Sequence, residues 1–248
     1  MIALADVHKS FGDKPVLQGV TLQVARGESC VVIGGSGTGK SVLLKCILGL
    51  VPLDSGTITV GGAALTRQTR ADFFDRFGML FQGGALFDSM PIWENVAFRL
   101  LHGARKRPRA EARRVAIEKL ARVGLPADVA NRYPAELSGG MQKRASLARA
   151  IAADPEIIFF DEPTTGLDPI MSGVINALIR GIVTETGATA LTITHDMAVV
   201  RTVADRVAML HAGRVQWEGR PEDLDNASDP YVSQFIAGRA DGPIGTAT

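Results

Sequence analysis

Two stretches and two single residues carry most of the chemistry. The first stretch, GGSGTGKS over Gly34 to Ser41, has the spacing of a phosphate-binding turn. Gly34, Gly35, Ser36, Gly37, Thr38 and Gly39 let backbone N–H groups wrap phosphate oxygens, Lys40 neutralises the charge on the β- and γ-phosphates, and the Ser41 hydroxyl is a ligand for Mg²⁺. The second, IIFFDEP, ends a buried apolar run in two carboxylates. Asp161 is placed to hold the Mg²⁺ shell and Glu162 to take a proton from an attacking water. His195 closes LTITH and Gln82 closes GMLFQ, each at a strand end, where open α/β sheets gather ligand-contacting groups. His195 is read as sensing the γ-phosphate, and the Gln82 amide oxygen as meeting Mg²⁺ or the lytic water.

A second cradle stands about a hundred residues downstream, in ELSGGMQKRASLARA. Ser138, Gly139 and Gly140 begin a helix and leave its first turn with bare N–H groups suited to an anion. Lys143 and Arg144 follow in the first turns, against the macrodipole preference for acids there, as an approaching anion would permit. Leu137, Met141, Ala145, Ala148 and Ala152 also form a stripe that suits a core. The stripe and the exposed start use different faces, so both readings stand.

These groups need a scaffold. IALADVHKSF and VLQGVTLQVARGESCVVIGG alternate or run apolar with β-branched residues, and the second ends in the first glycine cluster. From Lys40, KSVLLKCILGLV takes up helical spacing as far as Pro52. Further strand-like runs fall at 56–60, 78–82, 157–160, 188–195 and 206–215, and helical ones at 109–123, 138–153, 169–184 and 197–204. The alternation predicts an α/β protein with a mostly parallel sheet. Between Gly83 and Ala153 the strand signal vanishes, which predicts an inserted helical subdomain.

The 248 residues balance 27 Lys and Arg against 26 Asp and Glu, so bulk charge gives no argument for a nucleic-acid partner. Cys30 and Cys46, one in an apolar strand and one in an apolar helix, read as buried reduced thiols and point to the cytosol. No apolar run approaches a membrane span, and MIALADVHKS lacks the pattern of an export signal. The expectation is a chain that neither crosses a membrane nor is exported across one by itself.

The whole constellation resembles the nucleotide-binding subunit of ABC transporters, over nearly the full chain. LSGGM at 137–141 is similar to the signature motif, usually written LSGGQ. The resemblance implies a P-loop NTPase (RecA-like) core with an antiparallel β subdomain and a helical subdomain inserted at about 83–153. This cassette would span 1–220, with a C-terminal helix and tail over 221–248. It implies ATP hydrolysis with Glu162, His195 and Gln82 as catalytic groups, and Mg²⁺ held by Ser41, Gln82 and Asp161. It also implies that Ser138, Gly139 and Gly140 grip the γ-phosphate of an ATP held by a second copy, in a head-to-tail homodimer. Met141 stands where the motif usually has glutamine, and a thioether cannot replace an amide's hydrogen bonds. Phe11 resembles the aromatic that stacks on adenine, with Val16 beside it; a core phenylalanine is the competing reading. Asp168, in TGLDP, would reach toward the partner chain. Leu86, Phe87, Met90 and Trp93 either meet a membrane subunit or form the helical subdomain's own core.

Three features are similar to the ATPase of Mla (MCE-type) phospholipid transporters: MLFQGGALFDSM, the run from Glu136 to Ile170, and the closing SQFIAGRADGP. That resemblance implies an integral permease, an MCE-domain protein and a STAS-domain protein as partners, a place on the cytoplasmic face of the inner membrane, and a tail that reaches toward the other copy. An importer ATPase for amino acids or ions shares every catalytic motif. Non-transport ABC ATPases need long heptad insertions or a tandem cassette, and the chain has neither. The basic run RKRPRAEARR, 105–114, faces either anionic headgroups or solvent.

Overall fold

The computed structural model describes residues 1–64, 66, 69–103 and 106–245. Arg105 of the basic run and the last three residues of the tail lie outside them. The chain forms two compact units, Met1–Arg70 with Leu191–Thr248, and Ala71–Ala190.

The first unit opens with β1 (Ile2–Phe11), β2 (Lys14–Val24) and β3 (Ser29–Ile33), followed by α1 (Lys40–Ile47), β4 (Ser55–Val60) and β5 (Ala63–Ala64). β2, β1, β4 and β5 lie in that order in an antiparallel sheet, with Ile2 opposite Val24 on one side and Val60 on the other. The long apolar run from Val16 is divided at Arg26–Gly27, where Gly27 has a φ of 74° and Glu28 N–H turns back on Ala25 O. All five residues of β3 are buried, as a strand covered on both faces requires. α1 stops short of Pro52. Gly49 adopts a φ of 63°, its N–H bonds Cys46 O and the Leu50 N–H bonds Lys45 O, a glycine-terminated helix end.

The second unit holds α2 (Arg70–Arg76, its first residue at the division), β6 (Phe77–Leu80), α3 (Ile92–Val96), α4 (Phe98–His102), α5 (Arg109–Arg122), α6 (Gly139–Ala150), β7 (Ile157–Asp161) and α7 (Pro169–Thr186). β8 (Thr189–Thr194) contains the division between the units. Between β6 and β7 the described residues form helices and turns with no strand, in keeping with the expected helical insertion. β6 pairs in parallel with β7, from Phe77 opposite Ile157 to Leu80 opposite Phe160. The strand presses closely on α6: a Cβ on Gly78 would sit 1.9 Å from Ala150 O. α2 was not anticipated. Its seven residues are too few to show a period, and Phe73 anchors it instead, its ring 4.8 Å from that of Phe77.

A buried asparagine shapes the loop between β6 and α3. Asn95 Nδ2 donates to Phe87 O at 3.0 Å and Met90 O at 2.9 Å, and Oδ1 accepts from Phe87 N–H at 2.6 Å. Truncation would leave main-chain groups unpaired in a part-buried site. Asn95→Ala is therefore expected to cost about 1–3 kcal/mol, measured as a shift of the urea midpoint at constant slope.

Back in the first unit, α8 (Met197–Val203), β9 (Arg206–His211), β10 (Arg214–Gly219) and α9 (Pro230–Ala237) complete the chain. The strand order there is β10-β9-β3-β8, with β9 parallel to β3 from Cys30 opposite Arg206 to Ile33 opposite Met209. Val31, Ile33, Val207 and Met209 pack with Val232 of α9, and with Phe235, Ile236 and Ile244 around them. As far as it is described, the tail folds back on α9 of its own chain. Gln234 Nε2 donates to Arg239 O and Ile244 O, and Ile244 N–H donates to Gln234 Oε1. Both cysteines are buried; desolvation pushes the Cys30 thiol up to about 12 and the Cys46 thiol to about 11, so neither is a thiolate nucleophile. No helix among the described residues is long and apolar enough to cross a membrane.

Candidate functional site

In the first unit, the glycine-rich loop joins the end of β3 to the start of α1. Gly39, at the helix N-cap, has a φ of 104°, and a Cβ there would lie 3.1 Å from both Val16 O and a Leu17 methyl. The turn therefore packs directly on β2. Lys40 is buried, and its Nζ donates to Gly34 O at 2.7 Å and Gly35 O at 2.9 Å. Thr38 Oγ1 donates to Gly35 O. The ammonium is thus held against the loop's own backbone, while Ser36, Gly37 and Ser41 are exposed. Phe11, at the end of β1, is 51% exposed, which removes the core reading; Lys9 Nζ lies 5.5 Å from its ring centroid. Val16 is half-buried. His195 is exposed immediately after β8, the neighbour of β3 in the sheet.

In the second unit, Asp161 ends β7 and Glu162 follows it, almost fully buried. Glu162 adopts a φ of 46°, a left-handed backbone that a side-chain-bearing residue rarely takes and that collects at functional positions. Thr165 N–H and Oγ1 both turn back to it, at 3.3 Å and 3.4 Å. Lys143 is buried too, and its Nζ donates to Gln82 O. Burial holds this ammonium's pKa below its ordinary value, while attraction to Asp161 and Glu162 pulls the other way. Gln82 itself is exposed.

The second cradle has the expected form. Ser138 caps α6 with extended backbone, and its Oγ accepts from Met141 N–H at 3.4 Å. A Cβ on Gly139 would meet nothing within 4 Å, whereas one on Gly140 would strike Met171 Cε at 2.7 Å. Gly140 is small because α7 is close; the bare surface at Gly139 has no such internal cause. Leu137, Ala145, Ala148 and Ala152 are buried while Met141 is half-buried. The stripe and the exposed start therefore coexist. The two cations after the cradle do not face it. Lys143 turns inward, and Arg144 Nη1 donates to Gly124 O, so their place against the dipole has an in-chain reason. Asp168 Oδ1 caps α7 by accepting from Ile170 and Met171 N–H, a role that the sequence reading missed.

The apolar group after Gln82 divides. Trp93 is buried, with the Arg109 guanidinium 4.7 Å from its ring. Phe87 is 41% exposed and stacks at 4.7 Å on Phe98. With Phe74, Phe77, Phe81 and Met79 these two line an open groove of about 520 Å³. In the basic run, Arg107 pairs with Glu111, Arg109 with Glu94 and Arg114 with Glu118, which favours a solvated face.

The family described as ABC transporter matches residues 17–165. The chain is 42% identical over 247 residues to a probable ribonucleotide transport ATP-binding protein, mkl, of Mycobacterium tuberculosis, covering 98% of this chain and 68% of that protein. It is 39% identical to the intermembrane phospholipid transport system ATP-binding protein MlaF of Haemophilus influenzae, covering 98% and 93%. Its fold superposes with a TM-score of 0.81 on a dimeric post-hydrolysis state of the ATP-binding cassette MJ0796 bound to ADP and Pi, at 31% identity over 89% of this chain and 99% of that one. The chain belongs to the ABC transporter family, in which it is an ATP-hydrolysing subunit.

Proposed function

We propose that the chain works as a pair of ATPase subunits powering phospholipid transport between membranes, in an Mla/MCE-type system on the cytoplasmic face of the inner membrane. The observation that carries this reading is the match to the phospholipid-transport relative along 93% of its length. The ribonucleotide-transport relative is matched along 68%.

The roles follow from the chemistry of each group. Backbone N–H groups from Gly34 to Gly39 and the Lys40 ammonium bind the β- and γ-phosphates of ATP, with Phe11 and Val16 against the adenine. The donor set Ser41 hydroxyl, Asp161 carboxylate and Gln82 amide is all oxygen and fits Mg²⁺. When bound, that ion neutralises phosphate charge. Glu162 takes the proton of the attacking water, and His195 contacts the γ-phosphate. Ser138, Gly139 and Gly140 cover the γ-phosphate of the ATP held by the other copy, with Met141 and Asp168 near the pairing surface. The groove bearing Phe81 and Phe87 is an apolar seat for an integral permease.

Purification of the tagged chain from detergent-solubilised membranes tests the reading. A permease together with MCE- and STAS-domain proteins is expected to come with it. Recovery of a solute permease without either would overturn the lipid assignment and leave the ATPase intact.

A further inference from the structure

The segment after Gln82 is strapped to the signature-bearing helix. Lys143 Nζ donates to Gln82 O. Arg149 Nη2 and Nη1 donate to Gly84 O at 2.7 Å and Ala85 O at 2.6 Å. Between these cations, a Cβ on Gly84, whose φ is 75°, would lie 2.9 Å from Ser146 Oγ. Positions 143, 146 and 149 recur at three-residue spacing and share one stripe of α6. Two cations of α6 thus hold a four-residue strap at its ends, with Ser146 close beneath Gly84, and Lys143 is its buried end. The same ammonium lies in the field of Asp161 and Glu162. Hydrogen bonds from charged donors inside a protein are strong and directional, so moving α6 must move Gln82.

We propose that Lys143 is a positioning residue for ATP hydrolysis, fixing the main chain of Gln82 to the helix that begins with Ser138. It touches no substrate. Its effect falls on turnover, because the groups it places act on the attacking water, while the nucleotide's phosphates are held by the Lys40 loop. The inference rests on the roles proposed above for Gln82 and Glu162.

The test compares steady-state ATPase kinetics of the full chain with Lys143→Met, Lys143→Arg, Gly84→Ala and Glu162→Gln, alongside thermal melts. Lys143→Met is expected to lower kcat about 10–100-fold, the rate equivalent of one charge-assisted hydrogen bond, with KM for ATP changed less than about threefold. Lys143→Arg is expected to recover part of kcat. Gly84→Ala disturbs the strap from its other side without removing a charge, and is expected to lower kcat with the same unchanged KM. That variant keeps the proposal testable if Lys143→Met does not fold. Unchanged kcat in Lys143→Met and Gly84→Ala, or losses of kcat matched by rises in KM, would overturn the positioning role. Glu162→Gln separates the two levels. If it abolishes turnover while the strap variants do not, only this inference fails; if it hydrolyses ATP normally, the assignment of Glu162 fails.

Discussion

Glu162→Gln is expected to bind ATP, pair with a second copy and lose hydrolysis by about 10²–10⁴-fold. The substitution preserves shape and removes the one property assigned to the residue, a carboxylate able to accept a proton. Glu162 is almost fully buried, so bulk water is a poor replacement at that point. Its backbone takes a φ of 46°, with Thr165 N–H bonded to its carbonyl and Thr165 Oγ1 to its carboxylate, and a glutamine keeps one side-chain oxygen able to accept the second bond. The phosphate-holding groups are elsewhere, on the loop from Gly34 to Ser41, so nucleotide affinity should stay within about threefold of wild type. A trapped pair is the expected state, since ATP binding favours association and the step that removes the γ-phosphate is blocked. Phosphate release in single-turnover assays, read beside size-exclusion with ATP, checks both halves. Undiminished release would remove Glu162 from its role, and tight ATP binding without pairing would break the link between nucleotide and association.

The reach of the sequence differs from group to group, for physical reasons. The loop at 34–41 was legible because phosphate geometry dictates its spacing, and neighbouring residues suffice to build it. β3 and β7 were legible because strands buried on both faces read as unbroken apolar runs. The exposure of Phe11 was not, since an aromatic at a strand end suits a core equally well until the sheet is formed. The left-handed backbone of Glu162 carries no signature, because glutamate is not a residue chosen for positive φ. Lys143 was visible but misplaced. Its charge near a helix start pointed toward an outside anion, and only the packing of α6 against the loop after Gln82 turns it inward. The fold-back of the tail depends on the Gln234 amide meeting carbonyls five and ten residues away, a contact without a local pattern.

Ser138→Arg places its fault in a neighbour's site, which makes it the sharpest test of sharing. The serine is exposed at the start of α6, beside a glycine with open space where a Cβ would be. An arginine there loses the helix cap, at about 1 kcal/mol, and fills the approach to Gly139, while the Lys40 loop of the same chain is untouched. ATP affinity is therefore expected to be near normal and turnover lost. The energetic stake is large. About three charge-assisted bonds per γ-phosphate at roughly 1.5–3 kcal/mol each give two sites on the order of 9–18 kcal/mol gross, against about 5.5 kcal/mol needed to invert a 1:99 equilibrium. Losing these contacts on both sides should abolish ATP-driven pairing as well as hydrolysis. Lys40→Ala fails for the opposite reason, with its phosphate loop broken and its Ser138 turn sound. In a mixed pair, one site combines the two intact halves and the other combines the two broken ones. An equimolar mixture is then expected to regain up to about a quarter of wild-type turnover, since half of randomly formed pairs are mixed and each has one working site. Activity in the mixture that neither parent shows cannot come from a site built within a single chain. Turnover by Ser138→Arg alone in a dilute, strictly monomeric sample would refute the shared site, as would silence from mixed pairs whose formation is demonstrated by cross-linking.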